Sequence, residues 1–152
     1  MKHTISILVE NHAGVLARVA GLFARRGFNI DSLAVGITED EKISRITIIA
    51  DGTAYTLEQI EKQLNKLIDV IKVRHLPAEE LLSRELVLIK VACQPSQRAE
   101  LISLAEIAKA KISDITVNTM TLELSDSVPR IKTFEELLRP YGIKETVRTG
   151  SI

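Results

Sequence analysis

The sequence predicts an α+β protein in which one βαββαβ unit occurs twice within 152 residues. In some segments apolar residues alternate with a period of two, as in half-buried strands, and these segments are rich in Ile and Val. Between them, apolar residues recur three and four positions apart, as on one face of a helix. The same order of segments starts again near residue 85. Because a split βαβ unit of this order is the ferredoxin-like layout, we predict two consecutive ferredoxin-like domains.

The first unit opens with a strand, and a helix follows it after Gly14. The strand shows its period of two at four positions: His3, Ile5, Ile7 and Val9. The helix is expected to end at Gly27, because cations in a last turn and a glycine after it suit a helix carboxyl end. Residues 28–37 predict the second strand, and the apolar parity shifts near Asp31-Ser32, which predicts a β-bulge.

The rest of the first unit is a strand, a helix and a strand. Residues 38–42 are polar and predict a turn, and the β-branched segment 43–50 predicts the third strand. Thr56 is expected to cap the second helix. The buried stripe of that helix is expected at five apolar positions: Leu57, Ile60, Leu64, Leu67 and Ile71. Residues 70–75 predict the short fourth strand.

The joint between the units is expected just after residue 76, because Pro77 interrupts strand pairing and acidic residues follow it. We therefore predict a first domain at residues 1–76, a linker at 77–84 and a second domain at 85–152. In the second domain Ser96 is expected to cap the first helix, and Pro129 to lie in the first turn of the second. Its strands are predicted at residues 85–93, 112–117, 120–124 and 143–147.

Composition excludes several classes of function. Twenty Lys and Arg residues balance twenty Asp and Glu residues, which disfavours binding to nucleic acid or to an anionic membrane. The single cysteine, Cys93, excludes an internal disulfide and favours a reducing, cytoplasmic compartment. No apolar run approaches the roughly 20 residues of a membrane span, and no signal peptide is expected. Since each unit has a small core and open sheet edges, we expect a homodimer or a higher oligomer.

The best candidate site is the segment from Glu10 to Leu16, where the first strand passes into the first helix. The amino end of a helix offers unpaired amides and a partial positive charge, which suit a carboxylate. Gly14 permits close approach to the backbone, and Asn11 offers both a donor and an acceptor. An ordinary strand-to-helix turn would explain the same residues. Asn29 is a second candidate, although turn chemistry explains it equally well.

Three kinds of function remain to be compared on this scaffold. An RNA-binding module would need aromatics on its central strands, whereas the five aromatics here are predicted in helices, in turns or at a strand's first residue. An enzyme would need a catalytic motif and a metal carrier a cysteine pair, and the sequence has neither. The three histidines, His3, His12 and His75, lack metal-ligand spacing, so no catalytic or metal residues are predicted. A sensor of a small amphipathic ligand would use the one candidate site.

The chain also resembles a known family along nearly its whole length. The first half resembles an ACT domain, the amino-acid-sensing module of many metabolic enzymes. The whole chain resembles the regulatory small subunit of acetohydroxyacid synthase, also called acetolactate synthase. Seven stretches carry this resemblance: ENHAGVLAR (10–18), RRGFNIDSL (25–33), SRITI (44–48), LEQIEKQL (57–64), KLIDV (66–70), RELVLIKV (84–91) and LRPYGI (138–143).

The resemblance implies a chain that is not itself catalytic. It would dimerise through its ACT domains and bind a catalytic subunit that uses thiamine diphosphate, Mg²⁺ and FAD, with no cofactor of its own. It would activate that thiamine-diphosphate-dependent transferase and confer feedback inhibition by a branched-chain amino acid, usually valine. A free-standing ACT-type sensor that regulates a different enzyme is the alternative. The effector-binding residues implied are Asn11, His12, Ala13, Gly14, Val15 and Leu16, with Asn29 and Ile30 contributed across the dimer interface.

Overall fold

The computed structural model describes every residue from Met1 to Ile152. The chain forms two compact units, which consist mainly of Met1–Leu82 and of Ser83–Gly150. Each unit has the order βαββαβ and one four-stranded antiparallel sheet. The prediction of two ferredoxin-like domains is therefore confirmed. The segment predicted as a linker contains a short 3₁₀ turn at Ala78–Glu80.

The first unit has its sheet in the order β2-β3-β1-β4, and helices α1 and α2 contribute to the same core as the strands. Its elements are β1 (Lys2–Glu10), α1 (Val15–Arg25), β2 (Ile30–Ile37), β3 (Ile43–Asp51), α2 (Ala54–Asn65) and β4 (Val70–Leu76). The core is aliphatic except for Phe23, which is fully buried. The register between β2 and β3 shifts between Ile30 and Ser32, which confirms the predicted bulge.

The register of this sheet determines which ends of the strands lie together. The last residue of β2 lies opposite Ser44 of β3, which pairs with Val9 near the end of β1. The first residue of β2 lies opposite Ala50, which pairs with His3 near the start of β1. The start of β2 is therefore at the opposite end of the sheet from the junction of β1 with α1.

Two expectations about α2 are wrong. The helix is capped by Thr53, whose hydroxyl accepts a hydrogen bond from the backbone amide of Thr56 at 3.2 Å. Thr56 itself lies inside the first turn, because only Thr53 has the extended backbone that an N-cap needs. Leu67 and Ile71 are not part of the helical stripe, since α2 ends at Asn65. Leu67 packs against the core from the segment after the helix, and Ile71 lies half-exposed in β4.

The second unit has its sheet in the order β6-β7-β5-β8. Its elements are β5 (Glu85–Ala92), α3 (Arg98–Ala108), β6 (Lys111–Ile115), β7 (Thr119–Asp126), α4 (Val128–Leu138) and β8 (Ile143–Arg148). Phe134 and Cys93 are both buried in its core. No helix in the structure is long and apolar enough to cross a lipid bilayer.

The entry into α3 differs from the expected cap at Ser96. A 3₁₀ turn, Pro95–Gln97, precedes the helix, and it is closed by a capping box between Gln94 and Gln97. The side chain of Gln97 accepts a hydrogen bond from the backbone N–H of Gln94 at 3.1 Å. The side chain of Gln94 in turn accepts one from the backbone N–H of Gln97. Ser96 does not cap because the two glutamines, three positions apart, satisfy the turn between them.

Candidate functional site

The turn that joins β1 to α1, Asn11–Gly14, leaves the amino end of the helix open. Gly14 is the N-cap residue and has φ of 85°, a left-handed conformation that favours glycine. No side chain caps the helix. The first intrahelical bond is donated by the amide of Arg18 to the carbonyl of Gly14, at 3.1 Å. The amides of Leu16 and Ala17, just before it, therefore have no acceptor within the helix and can bind an anion.

Asn11 is held in place by the turn between β2 and β3. Its backbone amide donates to the carbonyl of Lys42 at 2.8 Å, and its side-chain Nδ2 donates to the carbonyl of Glu41 at 2.9 Å. The side chain is exposed, and its Oδ1 accepts no hydrogen bond from the protein. Asn11 therefore presents a fixed oxygen acceptor beside the open amino end of α1.

The other predicted residues of this segment have different surroundings. His12 and Ala13 are exposed, and the side chain of Leu16 is 43% exposed. Val15, in contrast, is only 3% exposed, because its side chain packs into the core of the first unit. The backbone of Val15 still belongs to the turn, since its amide donates to the carbonyl of His12 at 3.4 Å. A ligand at the turn would therefore contact the side chains of Asn11, His12 and Leu16.

Sequence reasoning assigned no site role to an ion pair that borders the turn. The Nε and Nη2 atoms of Arg18 both donate to Oδ2 of Asp69, and the Nε distance is 2.9 Å. The Asp69 side chain is only 11% exposed. Arg18 could have been found because it lies one helical turn after Gly14, and helical side chains lean toward the amino end. Asp69 carried no such signal, since it lies 51 residues away in the chain.

Acidic side chains and a histidine surround the same ion pair. The Nδ1 atom of His12 lies 3.6 Å from Glu10 Oε2 and 3.8 Å from Asp69 Oδ1, both too long for hydrogen bonds. The ligand atoms of Glu10, His12 and Asp69 lie within 4.8 Å of one another, so this group could hold a cation. Arg18 already neutralises Asp69 there. The absence of a metal site stays a prediction.

Asn29 and Ile30 lie far from this turn within one chain. Asn29 is exposed, and its Nδ2 donates to Oδ1 of Asp31 at 2.9 Å. Ile30 begins β2 at the level of His3, seven residues before the end of β1. At about 3.3 Å per strand residue, that separation is about 23 Å. The structure therefore does not bring Asn29 and Ile30 of one chain to the turn at Asn11–Gly14.

Both units match models of known families. Residues 5–72 match the ACT domain of the type found in acetohydroxyacid synthase small subunits. Residues 84–152 match the model described as the small subunit of acetolactate synthase. Together these two matches cover most of the chain, and each corresponds to one of the two compact units.

Relatives match along the full length of the chain. A probable acetolactate synthase small subunit of Archaeoglobus fulgidus is 49% identical over 152 residues, covering 100% of this chain and 95% of that protein. The acetolactate synthase small subunit of Mycobacterium leprae is 45% identical, covering 99% of this chain and 89% of that one. The crystal structure of the acetolactate synthase small subunit from Thermotoga maritima superimposes with a TM-score of 0.92 at 40% identity, covering 100% and 95% of the two chains. The resemblance read from the sequence is thus confirmed, and the chain belongs to the family of acetolactate synthase small subunits.

Proposed function

We propose that this chain is a non-catalytic regulatory subunit of an acetolactate synthase. It raises the activity of a separate catalytic subunit and makes that subunit sensitive to feedback inhibition by valine or a related branched-chain amino acid. The chemistry, with thiamine diphosphate, Mg²⁺ and FAD, belongs to the catalytic subunit, and the compartment is the cytoplasm. Full-length membership of the small-subunit family supports the partner. The observation that carries the effector site is the uncapped amino end of α1 at Gly14.

The turn has the groups that a zwitterionic amino acid requires. The amides of Leu16 and Ala17 receive the carboxylate, where the helix dipole also favours a negative charge. The Oδ1 atom of Asn11 accepts from the ammonium group. An aliphatic side chain then gains by burial: valine has two carbons more than alanine, at about 0.8 kcal/mol for each buried carbon. We therefore expect roughly tenfold tighter binding of valine than of alanine.

A homodimer formed through the ACT domains would complete this site. Strand β2 lies at the edge of its sheet, and it exposes Val35 by 49% and Ile37 by 61%. If two copies pair their β2 strands antiparallel about a two-fold axis, the start of one β2 comes beside the end of the other. The end of β2 is level with the end of β1. Asn29 and Ile30 of the partner subunit would then approach the Asn11–Gly14 turn.

A ligand that binds between two copies has a direct route to regulation. If the dimer has two arrangements, a ligand that contacts both copies favours the arrangement in which all its contacts form. The shift is limited by the difference between its affinities for the two arrangements. The catalytic subunit would respond to that arrangement through its contacts with the regulatory dimer.

The function is tested by calorimetric titration of the full chain with valine, leucine, isoleucine and alanine, and by activity assays with the catalytic subunit. We expect stimulation of the catalytic subunit, reversal by valine, and roughly tenfold weaker binding of alanine. Failure of all four amino acids to bind would contradict the effector site. Binding without any stimulation would favour the alternative, a sensor that regulates a different enzyme.

The proposed dimer has its own test, because the sheet has two edges with comparable isoleucines. Ile37→Lys places a charge on β2, and Ile71→Lys places one on β4, where the isoleucine is 51% exposed. We expect Ile37→Lys to weaken the dimer in analytical ultracentrifugation and to weaken valine binding with it. Ile71→Lys should change neither. The reverse pattern would assign the dimer to β4.

A further inference from the structure

The guanidinium group of Arg18 lies over the backbone of Gly14. A Cβ atom built on Gly14 would stand 3.2 Å from Nη1 of Arg18. The lean of helical side chains toward the amino end brings the group there from one turn further along α1. A side chain at position 14 would therefore make a tight contact with the guanidinium, in addition to the strain of the positive φ.

Asp69 fixes the orientation of that group. Because Nε and Nη2 both donate to one carboxylate oxygen of Asp69, one edge of the guanidinium is occupied. Asp69 in turn is held by the end of β1, since its backbone carbonyl accepts the amide of Glu10 at 2.9 Å. Nη1 makes no hydrogen bond to the protein, and the Arg18 side chain is 50% exposed. A donor already fixed in this way loses less conformational entropy when it binds a ligand.

The charges around Arg18 suit a zwitterion better than a simple anion. Asp69 forms an ion pair with Arg18, so its negative charge is largely neutralised. It therefore repels an incoming carboxylate less than a lone aspartate would. Glu10, whose side chain is 49% exposed, remains close by as an acceptor for a positive group. The surroundings of the turn therefore offer a fixed cation and an exposed anion side by side.

We propose that Arg18 binds the carboxylate of the amino-acid effector through Nη1, together with the amides of Leu16 and Ala17. Asp69 is a positioning residue that holds the guanidinium over Gly14. The inference rests on the proposed function, in which the effector is an amino acid at this turn. It adds a side-chain contact that selects for the carboxylate, where a helix end alone would accept many small anions.

The test compares two ligands that differ only at the carboxyl group. The full chain and its Arg18→Gln variant are titrated with valine and with valinamide, which keeps the ammonium and the side chain but has a neutral amide. We expect the wild type to prefer valine, and Arg18→Gln to weaken valine by about 10- to 100-fold with little change for valinamide. Arg18→Lys keeps a cation and should retain part of the preference.

Arg18→Gln leaves the buried carboxylate of Asp69 without its partner, which could destabilise the fold. A second variant therefore removes this charge as well. Arg18→Gln combined with Asp69→Asn removes both charges, and it too should reduce the preference for valine over valinamide by about 10- to 100-fold, leaving the part that the amides of Leu16 and Ala17 supply. Asp69→Asn alone should reduce the preference while Arg18 remains. Equal weakening of valine and valinamide in these variants would overturn the inference and make Arg18 structural. Unchanged valine binding in folded Arg18→Gln would overturn it while leaving the proposed function intact. If the wild type binds no amino acid, both fail.

Discussion

The two units have the same order of elements, but they differ at the turn between the first strand and the first helix. Where the first strand enters the first helix, the first unit has Gly14 at positive φ and no side-chain cap. The second unit closes the equivalent turn with the Gln94–Gln97 capping box, and Pro95 removes one donor altogether. The first turn leaves amides of α1 without acceptors, whereas the 3₁₀ turn that leads into α3 is closed by its own side chains, although α3 has no side-chain cap of its own. A site thus depends on which groups a turn leaves unsatisfied, and the fold alone does not create it.

The helices of the two units also differ in their outer surfaces. On α3, Ile107 is 78% exposed, and on α4, Leu137 is 49% exposed. A groove of about 300 Å³ lies between these helices, above Leu104 and Phe134. On α2 of the first unit, the ion pair Glu58–Lys62 is exposed, and Tyr55 is 71% exposed. The second unit therefore exposes an apolar groove between its two helices.

Gly14→Asp should have the largest effect, because its side chain fills the turn that is open only in the first unit. The new carboxylate occupies the position proposed for the effector's carboxylate, and like charges so placed cost several kcal/mol. We expect valine to bind about 100-fold more weakly or worse, with stimulation of the catalytic subunit retained. The measurement is an activity assay with and without valine, alongside circular dichroism.

Gly14→Ala is the control for backbone strain. Alanine has the same positive φ, at a cost of roughly 1–2 kcal/mol of stability, and the same Cβ contact with Nη1 of Arg18 at 3.2 Å, but it brings no charge. It should therefore lose less of the valine response than Gly14→Asp does. A well-folded Gly14→Asp variant with wild-type inhibition would remove the turn from the effector site.

Asn29→Ala tests the residue that the partner copy is proposed to contribute. We expect about tenfold weaker valine binding, from the loss of a hydrogen bond to a charged group. The melting temperature should barely change, because Asn29 is exposed and its one side-chain bond is to the nearby Asp31. Calorimetry and thermal unfolding on the same sample decide the matter. A large drop in melting temperature with unchanged affinity would make Asn29 a turn residue only.

Gln97→Ala opens the closed turn of the second unit. It removes the side-chain acceptor of the Gln94 amide, which should lower the free energy of unfolding by about 1 kcal/mol. Valine affinity should not change. Ser96→Ala is the matched control and should leave stability unaffected, since Ser96 is not the cap. Denaturant unfolding measures both, and equal losses in the two variants would contradict the role of the capping box.

Tyr141 gives an effect that is confined to alkaline pH, and it reports on the second unit alone. Burial, helped by the nearby carboxylate of Glu100, raises the pKa of Tyr141 to about 12. A phenol in an unfolded chain has a pKa near 10, so the unfolded state loses its proton first as pH rises. The stabilisation is therefore complete below about pH 10 and disappears between about pH 10 and 12.

The chain has only two tyrosines, which makes the measurement simple. In a Tyr55→Phe background, absorbance near the phenolate band follows Tyr141 alone. Tyr141→Phe should flatten the loss of melting temperature over this range. A phenol that titrates near its ordinary value in the folded protein would show that partial burial and the Glu100 carboxylate do not raise the pKa of Tyr141.

Local pattern predicted the fold well because both units follow simple periodicities. The bulge at Ile30–Ser32 could be read from the sequence, since one extra residue reverses the parity of every later side chain. The helix caps could not be read so well. Thr53 and Thr56 are equally good capping residues by type, and only the backbone conformation at Thr53 decides between them. At Ser96, the usual preference for serine concealed a pair of glutamines that closes the turn.

The candidate site likewise has a part that the local sequence predicts and a part that depends on long-range contacts. Residues 11–16 are contiguous, since they are the turn and the first two residues of α1, so the motif itself brings them together. The separation of Asn29 from that turn depends on the order and register of three strands, which no local pattern determines. The pairing of Arg18 with Asp69 requires knowing that the loop before β4 lies beside the end of β1. Long-range contacts of this kind become visible only in three dimensions.

The register that separates Asn29 from the Asn11–Gly14 turn also determines how substitutions at Gly14 and at Asn29 act together in a mixed dimer. In the proposed dimer, each effector site takes its turn from one copy and its strand start from the other. A mixed dimer of one chain altered at Gly14 and one altered at Asn29 would carry both lesions in one site and none in the second. Two defective chains would therefore complement each other and restore one intact site in every mixed dimer. Mixed with wild type, either chain would likewise leave one site whole, so that neither defect is fully dominant.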